Sequence, residues 1–185
     1  MVPAETRYNL IARMMHWTMA VLILAMIPVG WLMTQSGLER SLQNTLFIFH
    51  KNVGVALLVL IALRLAYRLT HKPAPLPSEL PGWQHRAASL SHLTMYALLI
   101  IMPVAGYIRV KAGGFPIEAL DALGVPALVM RSDALAEFAK SVHYFGGYTL
   151  TGLVALHIGA ALYHGLVRRD GVLGRMWPPF GAPKE

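Results

Sequence analysis

Three histidines, His143, His157 and His164, are spaced 14 and 7 residues apart within the uncharged run 141–167. At ~100° per residue each step returns the ring to within about 40° of the last, so one helix face carries all three. At ~1.5 Å per residue, His143 and His157 stand ~21 Å apart along the axis, most of a ~30 Å hydrocarbon core. Same-face imidazoles near opposite sides of a membrane suit two stacked metal centres, and therefore electron transfer across it.

His16, His50 and His92 each lie near the start of another apolar segment. If the chain crosses four times, His50 and His143 share the outer depth, and His16 and His157 the inner one. Each pair can clamp one iron from two helices, the bis-imidazole ligation of a b-type haem. Such iron has no open position, which favours electron transfer over oxygen binding. His92 and His164 remain on the inner side. They are candidates to flank a quinone, each ring donating to a carbonyl and moving protons. A histidine in a membrane span also serves as a plain interhelical hydrogen-bonding group, and zinc or copper needs three or four ligands at one depth. Six histidines grouped as pairs at two depths suit neither reading well.

Arg13, three residues before His16, and Lys51, next to His50, are candidate partners for haem propionates; a snorkelling anchor is the competing role for each. Gly30 follows His16 by 14 residues and Gly106 follows His92 by 14, so helices one and three would offer bare backbone at the outer depth. Gly54, Gly146 and Gly147 offer similar room. Small-residue helix packing explains any single one of them as well. His71 and His85 read as solvated, and the methionines as core filler.

The elements that must hold these rings are apolar. The mean hydropathy is +0.51, with 56% hydrophobic and 14% charged residues. A soluble domain carries nearly twice that charge. The pattern predicts an all-α membrane protein, a single domain over 1–185 built as a four-helix transmembrane bundle. Spans are expected at roughly 12–36, 43–69, 87–109 and 140–167. The second is the weakest, because Lys51, Arg64 and Arg68 interrupt it. His16 lies close to Arg13 while His157 lies far from Arg168. Matching their depths therefore requires helix one to begin before Arg13 or helix four to run beyond the hydrocarbon, and both are expected. Residues 71–83 hold four prolines and should lie extended. Residues 111–139 form the outer loop, with short amphipathic helices expected at 117–123 and 133–139.

Lys and Arg concentrate on the side of the termini, which predicts both termini cytoplasmic. The net charge of +7 is then topogenic and headgroup-binding, with membrane lipid as a partner and no nucleic acid. The first apolar run is too long for a signal h-region, so no cleaved leader is expected. The absence of cysteine excludes thiol catalysis, disulfides, cysteine-ligated iron–sulfur clusters and C-x-x-C-H haem attachment.

An ordered set of residues carries a resemblance: Arg7-Tyr8, Met15-His16-Trp17, His50-Lys51-Asn52-Val53-Gly54, Arg64-Leu65, Arg68, Pro73 to Pro77 and Ser91-His92-Leu93. It continues through Tyr96, Pro103 to Gly106, His143, His157, His164 and 170–176. In these the chain resembles the bacterial cytochrome b561 family of four-helix di-haem proteins. The resemblance implies two haem b groups, one on His16 and His157 and one on His50 and His143. It further implies electron transfer coupled to ubiquinone at the bacterial inner membrane, with a periplasmic donor or acceptor. Some members look like superoxide oxidases, so superoxide:ubiquinone oxidoreductase activity is one expectation and simple electron carriage another. Lys51, Arg109, Lys111 and Lys140 would then attract the superoxide anion. The competing readings are a b-type anchor subunit of a dehydrogenase or hydrogenase, and a haem-free transporter or scaffold that uses its histidines for protons.

Overall fold

The computed structural model describes residues 7–78 and 80–177. Four long helices account for most of them: α1 (Leu10–Leu32), α2 (Arg40–Thr70), α3 (Gly82–Ala112) and α5 (Asp133–Leu162), with the short α4 (Glu118–Ala122) between α3 and α5. Side chains fix three of the starts. Asn9 accepts from the Ala12 N–H, Glu39 from the Ser41 and Leu42 N–H groups, and Ser132 from the Leu135 N–H. Each cap satisfies donors that the first helical turn leaves unpaired.

All four long helices are apolar and long enough to cross a membrane. Their outer faces carry exposed Val21, Leu24, Val59, Leu63, Ile101 and Leu156, while the buried core is thin, centred on Met19, Leu57 and Ile61. In water this arrangement would be costly. In lipid it is the expected surface, because helices close their own backbone hydrogen bonds. Arg64 and Arg68 lie within α2 without breaking it, since both side chains turn toward neighbouring helices.

Helix α1 packs along α2, α2 along α3, and α3 most extensively along α5. No comparable backbone packing joins α1 to α5, so those two helices meet through side chains. Pro28 in α1 and Pro103 in α3 each remove one backbone donor, just before Gly30 and Gly106.

The bounds differ from the sequence expectation in instructive ways. Residues 133–139 are not a separate short helix. Capped by Ser132, they form the first turns of α5, which narrows the loop to 113–132. The other expected short helix is present as α4. The described residues of 71–81 are non-helical, but Trp83 already belongs to α3. Helix α1 does begin before Arg13. At the far end, α5 passes into a π-helical turn, Tyr163–Arg168. Arg169 then takes a left-handed conformation (φ 52°) and Gly171 another (φ 82°), reversing the chain.

The returning strap, 169–177, ties both ends of the chain together. Tyr8 N–H donates to the Arg175 carbonyl at 3.1 Å, and Trp17 Nε1 to the Met176 carbonyl at 3.0 Å. Arg175 is buried, stands over the Tyr8 ring, and donates to the Ala74 carbonyl. The four long helices therefore leave residues 7–9, the described part of the 71–81 connection and the strap at one end, here called the terminus end. The 33–39 and 113–132 connections lie at the other, the loop end.

Candidate functional site

At the loop end, α2 brings His50 and α5 brings His143 face to face. Their ring centroids are 6.0 Å apart, with planes at 75°. The Nδ1 of His143 lies 2.9 Å from the Met102 carbonyl of α3. A carbonyl only accepts, so Nδ1 carries the proton and Nε2 keeps a lone pair. The His50 Nδ1 is buried and has no hydrogen-bond partner among the described residues. Helices α1 and α3 wall this site with glycine. A Cβ on Gly30 would stand 2.8 Å from His50 Cε1, and one on Gly106 would stand 3.2 Å from His143 Cε1.

At the terminus end, His16 of α1 faces His157 of α5, with centroids 6.1 Å apart and planes at 72°. These rings span the side where α1 and α5 lack backbone packing. His92 of α3 lies on the other flank of His157, at 5.6 Å. His164 does not meet His92 directly in the contacts described. Its Nδ1 is 2.5 Å from Asp170 Oδ2, and Arg168 Nε is 3.6 Å from the same oxygen. Burial alone would raise the Asp170 carboxyl. The hydrogen bond from His164, with help from the Val172 N–H and the nearby charges, outweighs burial and holds it below the ordinary carboxylate range. Sequence reasoning assigned no role to Asp170 or Arg64. Asp170 stood within the C-terminal motif, six residues from His164, but nothing in its spacing showed the reversal at Arg169 that brings it back.

Among the described residues no three His, Asp or Glu side chains gather as a metal-binding cluster. The imidazoles group as facing pairs at opposite ends of one bundle.

The prokaryotic cytochrome b561 profile matches residues 7–179. The chain belongs to the prokaryotic cytochrome b561 family. Among its relatives is "Cytochrome b561 homolog 2" of Escherichia coli (strain K12), 31% identical over 172 residues, covering 92% of this chain and 90% of that one. "Cytochrome b561 homolog 1" of the same organism is 27% identical over 168 residues, covering 89% and 93%. "Probable superoxide oxidase CybB" of Yersinia pestis is 25% identical over 174 residues, covering 93% and 96%. As a member of the cytochrome b561 family, the chain is a multi-pass bacterial membrane protein of electron transfer, and its family binds haem b.

The residues present fit that cofactor. Two imidazoles each bonded to one metal through a ring nitrogen at ~2 Å have centroids roughly 6 Å apart, as both facing pairs do. Bare glycine backbone beside His50 and His143 leaves room that any Cβ would fill. Gly146 is different: its missing Cβ would strike Met102 Sδ at 2.6 Å, so it serves helix packing between α5 and α3.

The charged candidates sort differently. Arg13 is buried one turn before His16. Lys51 turns away to the loop, where Nζ donates to Glu118 Oε1 at 2.6 Å and the Pro116 carbonyl at 2.7 Å. Lys111 pairs with Asp121, and Lys140 with Glu137. Three of the four expected attractors of an anion thus already have carboxylate partners. Arg109 forms no ion pair among the described residues.

Proposed function

We propose that this chain conducts electrons across the bacterial inner membrane between two haem b groups, one held by His16 and His157 and one by His50 and His143. The observation that carries the reading is the pair of facing imidazoles, 6.1 Å and 6.0 Å apart, at opposite ends of one bundle. Bound there, haem would supply one-electron redox chemistry, with these four histidines holding it. The Met102 carbonyl orients His143 so that Nε2 points its lone pair away from α3.

Electrons exchange with ubiquinone at the terminus end and with a periplasmic partner at the loop end. His92 and His164 serve the quinone side. With Asp170 ionised and accepting at Oδ2, His164 keeps a proton on Nδ1 and offers Nε2 for exchange. His92, flanking His157, is the second proton-handling ring. The relative named as a probable superoxide oxidase favours superoxide as the periplasmic donor. Two superoxide anions then leave as dioxygen, and their two electrons, with two protons from the terminus side, convert one quinone to quinol. Arg109, in the last turn of α3 and in no ion pair among the described residues, is the cation left to favour the anion there.

A haem count on the purified protein, with reduction by superoxide and by quinol on the same sample, tests this. Two haems per chain, both reducible, are expected. His16→Ala and His50→Ala should each remove one. Absence of a reducible b-type spectrum, or loss of neither centre in those variants, would overturn the assignment.

A further inference from the structure

The two ends of the bundle differ sharply in charge. Assigned by the order of the helices, the terminus end holds ten Lys and Arg against four acids, and the loop end holds six against five. The two differences together make up the formal +7. Among the described residues Asp170 is the only carboxylate at the terminus end, and it is engaged by His164 and Arg168. Of these cations Lys72, Arg86, Arg168 and Arg169 are exposed, where salt and water screen them, whereas Arg13 and Arg175 are buried and Arg64 and Arg68 are half-buried within the bundle.

Arg64 projects from α2 into the space between α1 and α3. One guanidinium nitrogen donates to the Ala12 carbonyl of α1 at 3.1 Å, and Nε donates to the Tyr96 hydroxyl of α3 at 3.3 Å. Ala12 is four residues before His16, so its carbonyl is the one that also accepts His16's own helical N–H. Tyr96 is four residues after His92, one turn further along α3. Arg64 is therefore held one turn from both rings that flank His157. Arg68, one turn further along α2, stands over the Tyr96 ring, 5.6 Å from its centroid. Neither arginine has a carboxylate partner among the described residues; the groups that hold Arg64 are neutral.

The loop-end pair is placed otherwise. Of the cations near it, Lys51 and Lys111 are matched by Glu118 and Asp121, leaving Arg109 in the last turn of α3. A fixed positive charge in a medium of low dielectric stabilises whichever state of a neighbouring centre carries one more electron.

Resting on the two-haem reading above, we propose that Arg64, reinforced by Arg68, holds the terminus-end haem at a higher reduction potential than the loop-end haem. One electron shared between the two centres then resides at the terminus end: the loop-end iron is oxidised by one electron and the terminus-end iron reduced by one. The inert-looking cations of the second span thus set the direction in which the conduit runs downhill, toward the quinone side.

Optical redox titration of the purified holoprotein tests the proposal. The unsubstituted protein should show two one-electron steps, and the single step left in His50→Ala should be the higher of the two. Arg64→Gln, which keeps hydrogen-bond donors but removes the charge, should move the higher step downward and leave the lower one in place. Arg64→Lys should keep the steps apart. Arg68→Gln should shift the same step by less, and it carries the test should Arg64→Gln fail to accumulate. Unresolved steps in the unsubstituted protein, retention of the lower step in His50→Ala, or unmoved steps in the Gln variants overturn the proposal. An equal shift in Arg64→Lys and Arg64→Gln also overturns it, since geometry rather than charge would then be responsible. Fewer than two haems per unsubstituted chain defeats the underlying reading instead.

Discussion

At the residue scale, the terminus-end site poses a choice, because His157 has rings on both flanks, His16 at 6.1 Å and His92 at 5.6 Å. The proposed reading takes His16 as the ligand, its distance being the nearer to the 6.0 Å of the loop-end pair. His92→Gln should therefore retain two haems per chain while slowing quinone reduction; loss of a haem would reassign the ligand to His92. Glycine makes a second choice measurable. A methyl on Gly30 would approach His50 to 2.8 Å, well inside normal contact, while one on Gly106 would approach His143 to 3.2 Å. Gly30→Ala should release the loop-end haem more readily than Gly106→Ala, and neither should disturb the terminus-end haem. Haem retention during mild heating, followed optically, separates these outcomes. The histidines and these two glycines were legible in the sequence because helical spacing fixes both face and depth. The roles of Lys51, Lys111 and Asp170 were not, because each is decided by a connection that folds back, and spacing along one helix says nothing about that.

At the scale of elements, the long helices were readable from hydropathy alone, yet their ends were not. Hydropathy follows the hydrocarbon core, whereas an end is decided by a cap such as Ser132, which extends α5 well into the expected loop. The short α4 shows how a loop is held. Burial raises the Glu118 carboxyl, but the hydrogen bond from Lys51 outweighs it, and the hydrogen bond from Lys111 holds Asp121 low, so both lie below the ordinary carboxylate range. Groups with depressed values stabilise the fold above that range and lose the contribution as pH falls through the lowered values. A spin label at Ala122 should be restrained near pH 6 and become mobile only as the pH falls below the ordinary carboxylate range. In Glu118→Gln it should already be more mobile at pH 6, at a cost to stability of no more than ~1 kcal/mol, since the pair is partly exposed. The strap is the stronger tie. Arg175→Ala removes the hydrogen bond to Ala74 and the contact over Tyr8, which should cost about 1–3 kcal/mol. Because Trp17, next to His16, is bonded to the same strap, the terminus-end haem should be lost first on heating while the loop-end haem is kept. Simultaneous loss of both would show that the strap supports the whole bundle.

At the scale of the whole molecule, an even number of crossings and the meeting of Tyr8 with Arg175 put both chain ends on one side. The bundle itself has no preferred direction; orientation comes from charge. The terminus end carries most of the Lys and Arg, including Arg168 and Arg169 directly after the last span, and cations near span ends stay on the cytoplasmic side during insertion. The same cations would place the more positive haem site, beside Arg64, toward the cytoplasm and the quinone-coupled end of the conduit. A reporter active only in the cytoplasm should therefore function when fused to either terminus, and one active only in the periplasm should function when inserted at Gly124, which lies in the exposed turn after α4. Replacing Arg168 and Arg169 with Gln should lower the fraction of correctly oriented chains without changing haem content in those that insert, because neither side chain faces a haem-ligand pair. The reverse result at both reporter sites would turn the bundle over. It would place His16 and His157 at the periplasmic face and require the periplasmic partner to act at the quinone end proposed here.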